Sequence, residues 1–399
     1  MFATLKQLPK NVWILAATLA LVQGSMPLMV LVSGLLGAEL APSKSLATLP
    51  ITLAVVGIAC TTVPAALLAK KFGRKWAAYV GLLMSLLGIV ACGLAAAAQN
   101  YSLLLVGSAL TGGGGGFYQQ FRFAAMESLS DMSNAGPALS VLMLSGIVAG
   151  VLGPELSTIG AMLLPHWPHY APAFLLMALL GLLALVVLAA FENPVFKEQE
   201  ASGEARSLGQ IIKGKAFLIA MLAALLGYSM MVFLMTSTPI SMHVHHGHSL
   251  SDAKWVIQSH VVAMYLPSLF SGFLIKRIGP APLMISGSIL YLLVIAVALS
   301  GEQVLHYWWS LVLLGVGWNF LFLCGTTLLP AAYKPSERFK VQAVNDFSIF
   351  SSQALASLLA GWILFQFGWQ VQLLMCLPVA LAALVISLLY GYGGSKRNQ

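Results

Sequence analysis

Four ionisable residues stand inside long hydrophobic runs: Arg122, Glu155, His260 and Asp346. An uncompensated charge at mid-membrane costs at least ~2.5–3.5 kcal/mol, so each needs a partner, water or a proton. Desolvation raises the pKa of a carboxylate, which makes Glu155 and Asp346 candidates to bind and release a proton near neutral pH. The bland alternative for Asp346 is a structural bridge to Lys340 or Arg122. His260, beside Gln258, is a candidate relay or a hydrogen-bonded core group. The run Met242–His248 holds His243, His245, His246 and His248. Four imidazoles so close can bind a divalent metal, but no carboxylate or cysteine is adjacent and Asp252 is merely near, so no metal site is assigned. Cys60, Cys92, Cys324 and Cys376 lie in apolar runs and read as buried small hydrophobes. No phosphate-binding loop, catalytic triad, zinc-protease motif or haem-attachment motif occurs, so no catalytic residue, no cofactor and no ATP drive are expected.

The stretch from Thr111 to Asp131 concentrates the polar groups. Five glycines, Gly112 to Gly116, precede Tyr118, Gln119, Gln120 and Arg122, and two carboxylates, Glu127 and Asp131, close it. Side-chain-free backbone lets another backbone or a flat ligand approach closely. The amides and the arginine must then face the protein interior or water.

These residues need apolar elements to position them. The chain has 399 residues, 59% hydrophobic and 8% charged, and a mean hydropathy of +0.90. A soluble protein carries about 25% charged residues, so the chain is read as a polytopic membrane protein. The 20 Lys+Arg against 12 Asp+Glu do not signal nucleic acid, because the basic residues sit in short loops. About 20 apolar residues cross a bilayer. By that measure twelve spans are expected, at 11–33, 47–69, 76–98, 101–125, 138–163, 171–191, 215–241, 252–275, 281–300, 305–330, 339–366 and 370–392. The first run is too long for a signal peptide and lacks a cleavage pattern. With both termini in the cytoplasm, the loops holding Lys70, Arg74, Lys213, Arg277 and Lys334 lie inside, and only Lys44 and Lys254 lie outside. The polar segment 192–214 reads as a cytoplasmic linker between 1–191 and 215–399. The two parts echo each other: Gly73 and Gly279 are 279 − 73 = 206 positions apart, and Gly107 and Gly315 are 315 − 107 = 208 apart. A tandem repeat of six helices is expected from that near-constant offset.

The turn Ala66-x-x-x-Lys70-Lys71-Phe72-Gly73-Arg74-Lys75, echoed at Gly272-x-x-x-Lys276-Arg277-Ile278-Gly279, resembles the basic turn of the major facilitator superfamily. Ala66 and Lys70 stand where that pattern has glycine and aspartate. The stretches YQQFRFAA from Tyr118, VLGPEL from Val151 and VQAVNDF from Val341 are similar to a bacterial branch that includes proposed riboflavin transporters. The resemblance implies an all-α membrane fold of two pseudo-symmetric six-helix bundles, with spans 1, 4, 7 and 10 lining a central cavity. It thereby implies Gln23, Tyr118, Gln119, Arg122, Tyr228, Trp318 and Asn319 as substrate-binding candidates, with Ser25, Ser229, Thr236 and Ser237 near them. The basic turn, through Lys70 and Arg74, is expected to meet Glu127 and Asp131 and hold the cytoplasmic gate shut. Gly153-Pro154 is expected to loosen span 5. The resemblance implies a monomeric secondary transporter of the bacterial inner membrane, coupled to protons, moving a small organic solute. A riboflavin-like aromatic comes first, a siderophore or other metal chelate second and drugs third; a non-transporting sensor of the same fold is the rival from another class.

Overall fold

The computed structural model describes residues 8–130, 135–168, 170–193, 206–334 and 337–395, which form helices joined by turns. The first apolar run is a helix in pieces: α1 (Lys10–Val22), α2 (Ser25–Leu28), a π-turn over Met29–Ser33 and α3 (Gly34–Leu40). Pro27 has no N–H to give to the Gln23 carbonyl, and the helix loosens on both sides of it. There follow α4 (Leu49–Phe72), α5 (Arg74–Ala98), α6 (Tyr101–Tyr118), α7 (Phe121–Glu127), α8 (Ala135–Leu163) and α9 (Ala171–Ala189). Residues 194–205 of the expected linker lie outside the described residues, but its end forms the short α10 (Leu208–Ile212), opened by a Ser207/Gln210 capping box. The second half comprises α11 (Lys215–Ile240), α12 (Leu250–Tyr265), α13 (Ser268–Ile278), α14 (Pro280–Leu299), α15 (Val304–Leu328), α16 (Arg338–Met375) and α17 (Leu377–Ser395).

Among the described residues nine stretches are long and apolar enough to cross a membrane. Two expected spans fall outside these nine. The run 101–127 is diluted by its five glycines and turns at Gln119–Gln120 between α6 and α7, and the run 250–278 carries Asp252, Lys254, Gln258 and His260 and turns around Pro267 between α12 and α13. A third expectation is hidden inside α16, whose helix turns at Gly368 with φ 82°, a conformation open to glycine.

Large apolar side chains face outward, among them Leu83, Leu87 and Leu94 on α5, Leu179 and Val186 on α9, and Val385 and Leu389 on α17. Such surfaces suit hydrocarbon rather than water. Inside, the glycine run lets α6 lie against α4 and α5. A Cβ on Gly112 would strike the backbone of Ala54, one on Gly114 would strike Gly81 and Ser85, and one on Gly116 would strike Thr61. The Thr61 hydroxyl donates to the Gly113 carbonyl at 2.7 Å. The close partner is backbone at Gly112 and Gly114, and a side chain at Gly113, Gly115 and Gly116. Gly153 has the same use: α8 runs unbroken through Pro154, and Gly153 lies against Gly24, where the first helix crosses α8. The halves meet where α16 packs on α4, α12 on α8 and α11 on α3.

Candidate functional site

A cavity of about 140 Å³ lies between the halves. The first half presents Gln23, Tyr118 and Gln119, and the second presents Tyr228, Thr236 and Gln353. Gln23 reaches the cavity because the chain bends at Gly24, and Gln119 because α6 ends at Tyr118. The apolar wall is soft: Met26, Met231, Met235 and Met264 line it, with Tyr265 and Phe350. Methionine adapts to irregular shapes and contacts aromatic rings favourably. Tyr228 sets its edge on Trp318 and on Phe322, each at 5.0 Å between centroids, and those two rings stack at 5.0 Å and 13°. The result is an aromatic and thioether chamber with a few amides and hydroxyls, the mostly apolar lining with sparse polar groups that small-molecule pockets share.

Two ion pairs bridge the halves on opposite sides of this chamber. Arg122 Nη2 lies 2.8 Å from Asp346 Oδ2, and the Asn345 amide donates to the other oxygen at 3.0 Å. Asp346 sits 346 − 338 = 8 residues into α16 from the end that carries Lys71, Arg74, Lys215 and Arg277. Towards the opposite end, Lys254 Nζ lies 3.0 Å from Glu155 Oε2 and donates to Thr158 at 2.8 Å. Gln258 donates to Glu155 at 3.2 Å and to the Val151 carbonyl at 2.8 Å. Glu155 is 163 − 155 = 8 residues from its own end of α8. Each carboxylate is thus held about 12 Å inside its helix by a cation from the other half. On the Glu155 side the seam is also closed by Thr52 bonded to Ser357 at 3.0 Å and by Gly361 against Thr48.

Other expected residues go elsewhere. Asn319 does not face the cavity: its amide donates to the Met264 carbonyl and to Ser268, and its oxygen accepts from Ser271, all on α12 and α13 or the turn between them. Trp318 backs Tyr228 rather than forming the wall. His260 is fully buried, with Nδ1 2.7 Å from the Leu311 carbonyl, in the seam between α12 and α15. Arg74 does meet Glu127, through Nε at 2.9 Å and Nη2 at 2.6 Å, and Gln120 at 2.9 Å. Both groups belong to the first half, so this pair ties α5 to α7 and does not cross the seam. The side chain of Lys70 and the whole of Asp131 lie outside the described residues. The histidines of the loop do not converge: His243 turns to the His248 carbonyl, His248 to the Glu302 carbonyl, and His246 to Glu302 and Tyr307.

Sequence reasoning passed over Lys254 and Gln353. Lys254 counts as a loop cation by composition, yet it stands one helical turn before Gln258 on the same face of α12 as that amide. That spacing was the available signal. Gln353 lies within an apolar run of α16 with no motif around it.

A family model described as Major Facilitator Superfamily matches residues 13–253 and 222–398. The chain belongs to the major facilitator superfamily. This facilitator is 36% identical over 378 residues to the Riboflavin transporter RfnT of Brucella anthropi, covering 94% of both chains. It is 29% identical over 355 residues to the uncharacterized MFS-type transporter YddS of Bacillus subtilis, covering 83% of this chain and 79% of that one. Its fold is similar to the crystal structure of the human organic anion transporter MFSD10 (TETRAN), with a TM-score of 0.69 at 12% identity, covering 95% of this chain and 100% of that one. This facilitator is therefore an all-helical, multi-pass membrane protein of a transporter family that resembles the riboflavin-transporter branch.

Proposed function

We propose that this chain is a secondary transporter that moves riboflavin, or a planar aromatic solute like it, across the bacterial inner membrane. The observation that carries the reading is the cavity between the halves, walled by tyrosines, methionines and glutamines from both sides. The identity to a riboflavin transporter over nearly the whole chain supports the choice of solute.

The two ion pairs support alternating access. Arg122–Asp346 and Glu155–Lys254 bracket the chamber, and each crosses between bodies 1–191 and 215–399. Parting one pair while the other holds opens one end at a time. The proton is the coupling ion: protonating Asp346 or Glu155 removes the charge that holds its cation and frees that end. Twelve spans, with both termini in the cytoplasm, are supported by the basic residues gathered at one end and by the helix breaks at Gln119, Pro267 and Gly368. The cavity is walled by residues of one chain, so a monomer suffices for transport.

The test is a thermal-shift screen of the purified protein against flavins, siderophores with and without iron, and common drugs, at two pH values. Stabilisation by flavins that weakens in Glu155→Gln or Asp346→Asn is the expected result. Stabilisation by ferric siderophores alone would move the substrate to metal chelates.

A further inference from the structure

We propose that the cavity admits uncharged solutes only, and that Gln353 and Thr236 hold the polar edge of the bound molecule. The inference rests on the proposed transport of a planar solute and adds to it a charge filter and two specificity residues.

The filter follows from the lining. Among the described residues the cavity wall contains no Asp, Glu, Lys, Arg or His. The charges that bracket the chamber are paired with each other, Arg122 with Asp346 and Glu155 with Lys254, and Arg122 Nε keeps no partner. A charged group carried into the chamber meets no counter-ion, and closing the chamber removes the water that would otherwise solvate it.

The specificity residues follow from hydrogen-bond accounting. Buried polar atoms in folded proteins are nearly always paired, so an unpaired one asks for a partner. Gln353 is 4% exposed, and its amide nitrogen has no partner. Thr236 is 1% exposed, and its hydroxyl has none. Its neighbours on α11 behave differently. Ser237 and Thr238 donate to carbonyls of their own helix, as buried helical hydroxyls usually do, and Gln372 donates to Ser237 and the Phe233 carbonyl. Thr236 and Gln353 both line the cavity with a buried polar atom that has no partner, as Tyr118 does through its hydroxyl on the other half. An amide N–H and a hydroxyl, which can donate or accept, in the wall of one cavity match a planar solute with an amide- or imide-type edge. The Tyr228, Met231 and Phe350 surfaces take the face of the ring.

Counterflow in proteoliposomes, with labelled riboflavin and labelled riboflavin 5′-phosphate, tests the filter. The expected result is exchange of riboflavin and exchange of the phosphate ester slower by on the order of a hundredfold, the cost of an uncompensated charge in the membrane. Equal exchange of the two overturns the filter while leaving the transport of flavin in place. Exchange of neither removes the transport reading and the inference together. Gln353→Leu and Thr236→Val should each raise the KM for riboflavin about tenfold with kcat little changed, the loss of one hydrogen bond to a buried ligand group. Gln353→Asn, which keeps the amide, should recover part of the loss. Wild-type KM in Leu and Val variants that elute as single peaks from size exclusion overturns the assignment of the two residues.

Discussion

Neutralising Asp346 should open the end of the bundle that carries the basic loops. Asp346→Asn leaves Arg122 without its counter-ion at a position where its side chain is 25% exposed and that of Asp346 is 9% exposed. Breaking a fully buried pair by removing one partner costs about 3–5 kcal/mol. The partial exposure of Arg122 lets water recover some of that, so about 2–3 kcal/mol remains. The cost falls on the conformation that holds the pair and not on one in which the halves have parted there. A difference of about 2 kcal/mol shifts the population about thirtyfold towards the open form. Double electron–electron resonance between labels at Phe72→Cys and Ile278→Cys reads the change, since both positions are exposed at that end on opposite halves. Cys60 is the exposed native cysteine and is replaced by serine; Cys92, Cys324 and Cys376 are buried. The account expects a longer distance population in Asp346→Asn and in Arg122→Gln, and a return towards wild type in Arg122→Asp/Asp346→Arg. An unchanged distribution in both single variants, or strictly additive shifts with no rescue in the swap, would refute the latch.

Other perturbations test the packing and the linker. Gly112→Ala drives a methyl into the Ala54 backbone, and it should lower the thermal midpoint of the purified protein by several degrees, from ~1–3 kcal/mol of overpacking. Gly115→Ala meets only the Ile58 side chain and should cost far less in the same melt. Gly361→Val wedges Thr48 away at the Glu155 end, and accessibility of a cysteine at Ser357 to a membrane-impermeant thiol reagent should rise severalfold. Glu337, at the start of α16, accepts from the Arg206 guanidinium and from the Arg206 and Lys334 backbone N–H groups, and the Arg206 pairing leads in holding its carboxyl down at about 2. A depressed folded pKa means stability that is present above the unfolded value of about 4.5 and is lost as pH falls through about 2. Hydrogen exchange should therefore show the Arg206 and Lys334 amides protected down to about pH 4.5 and released towards pH 2, and Glu337→Gln should release them at pH 7.

The membrane fold was legible because each apolar run is long and the basic residues cluster in alternate loops. The cavity candidates on helix interruptions were legible too: Gln23 beside Pro27, and Tyr118 and Gln119 after the glycines, do face the chamber. What the glycines pack against was open in the sequence, since small residues admit a backbone or a ligand equally; tertiary packing sets Gly112 and Gly114 against backbone and leaves Gly115 on the cavity wall. The cross-half pairs were half legible. Arg122 and Asp346 stood out as charges in apolar runs and were weighed as a pair, but pairing across 224 positions is a property of the folded seam. Lys254 could not be assigned to Glu155 for the same reason, and Asn319 read as a cavity residue because its helix was right while its face was not. A helix periodicity tells which residues share a face, and it does not tell which neighbour that face meets.

The most direct measurement of the central claim is uptake of labelled riboflavin by proteoliposomes under an imposed pH gradient. The account predicts accumulation that follows the gradient, collapses with a protonophore and fails in Asp346→Asn. Riboflavin that never enters under any gradient, in vesicles whose protein is folded and monodisperse, would contradict it.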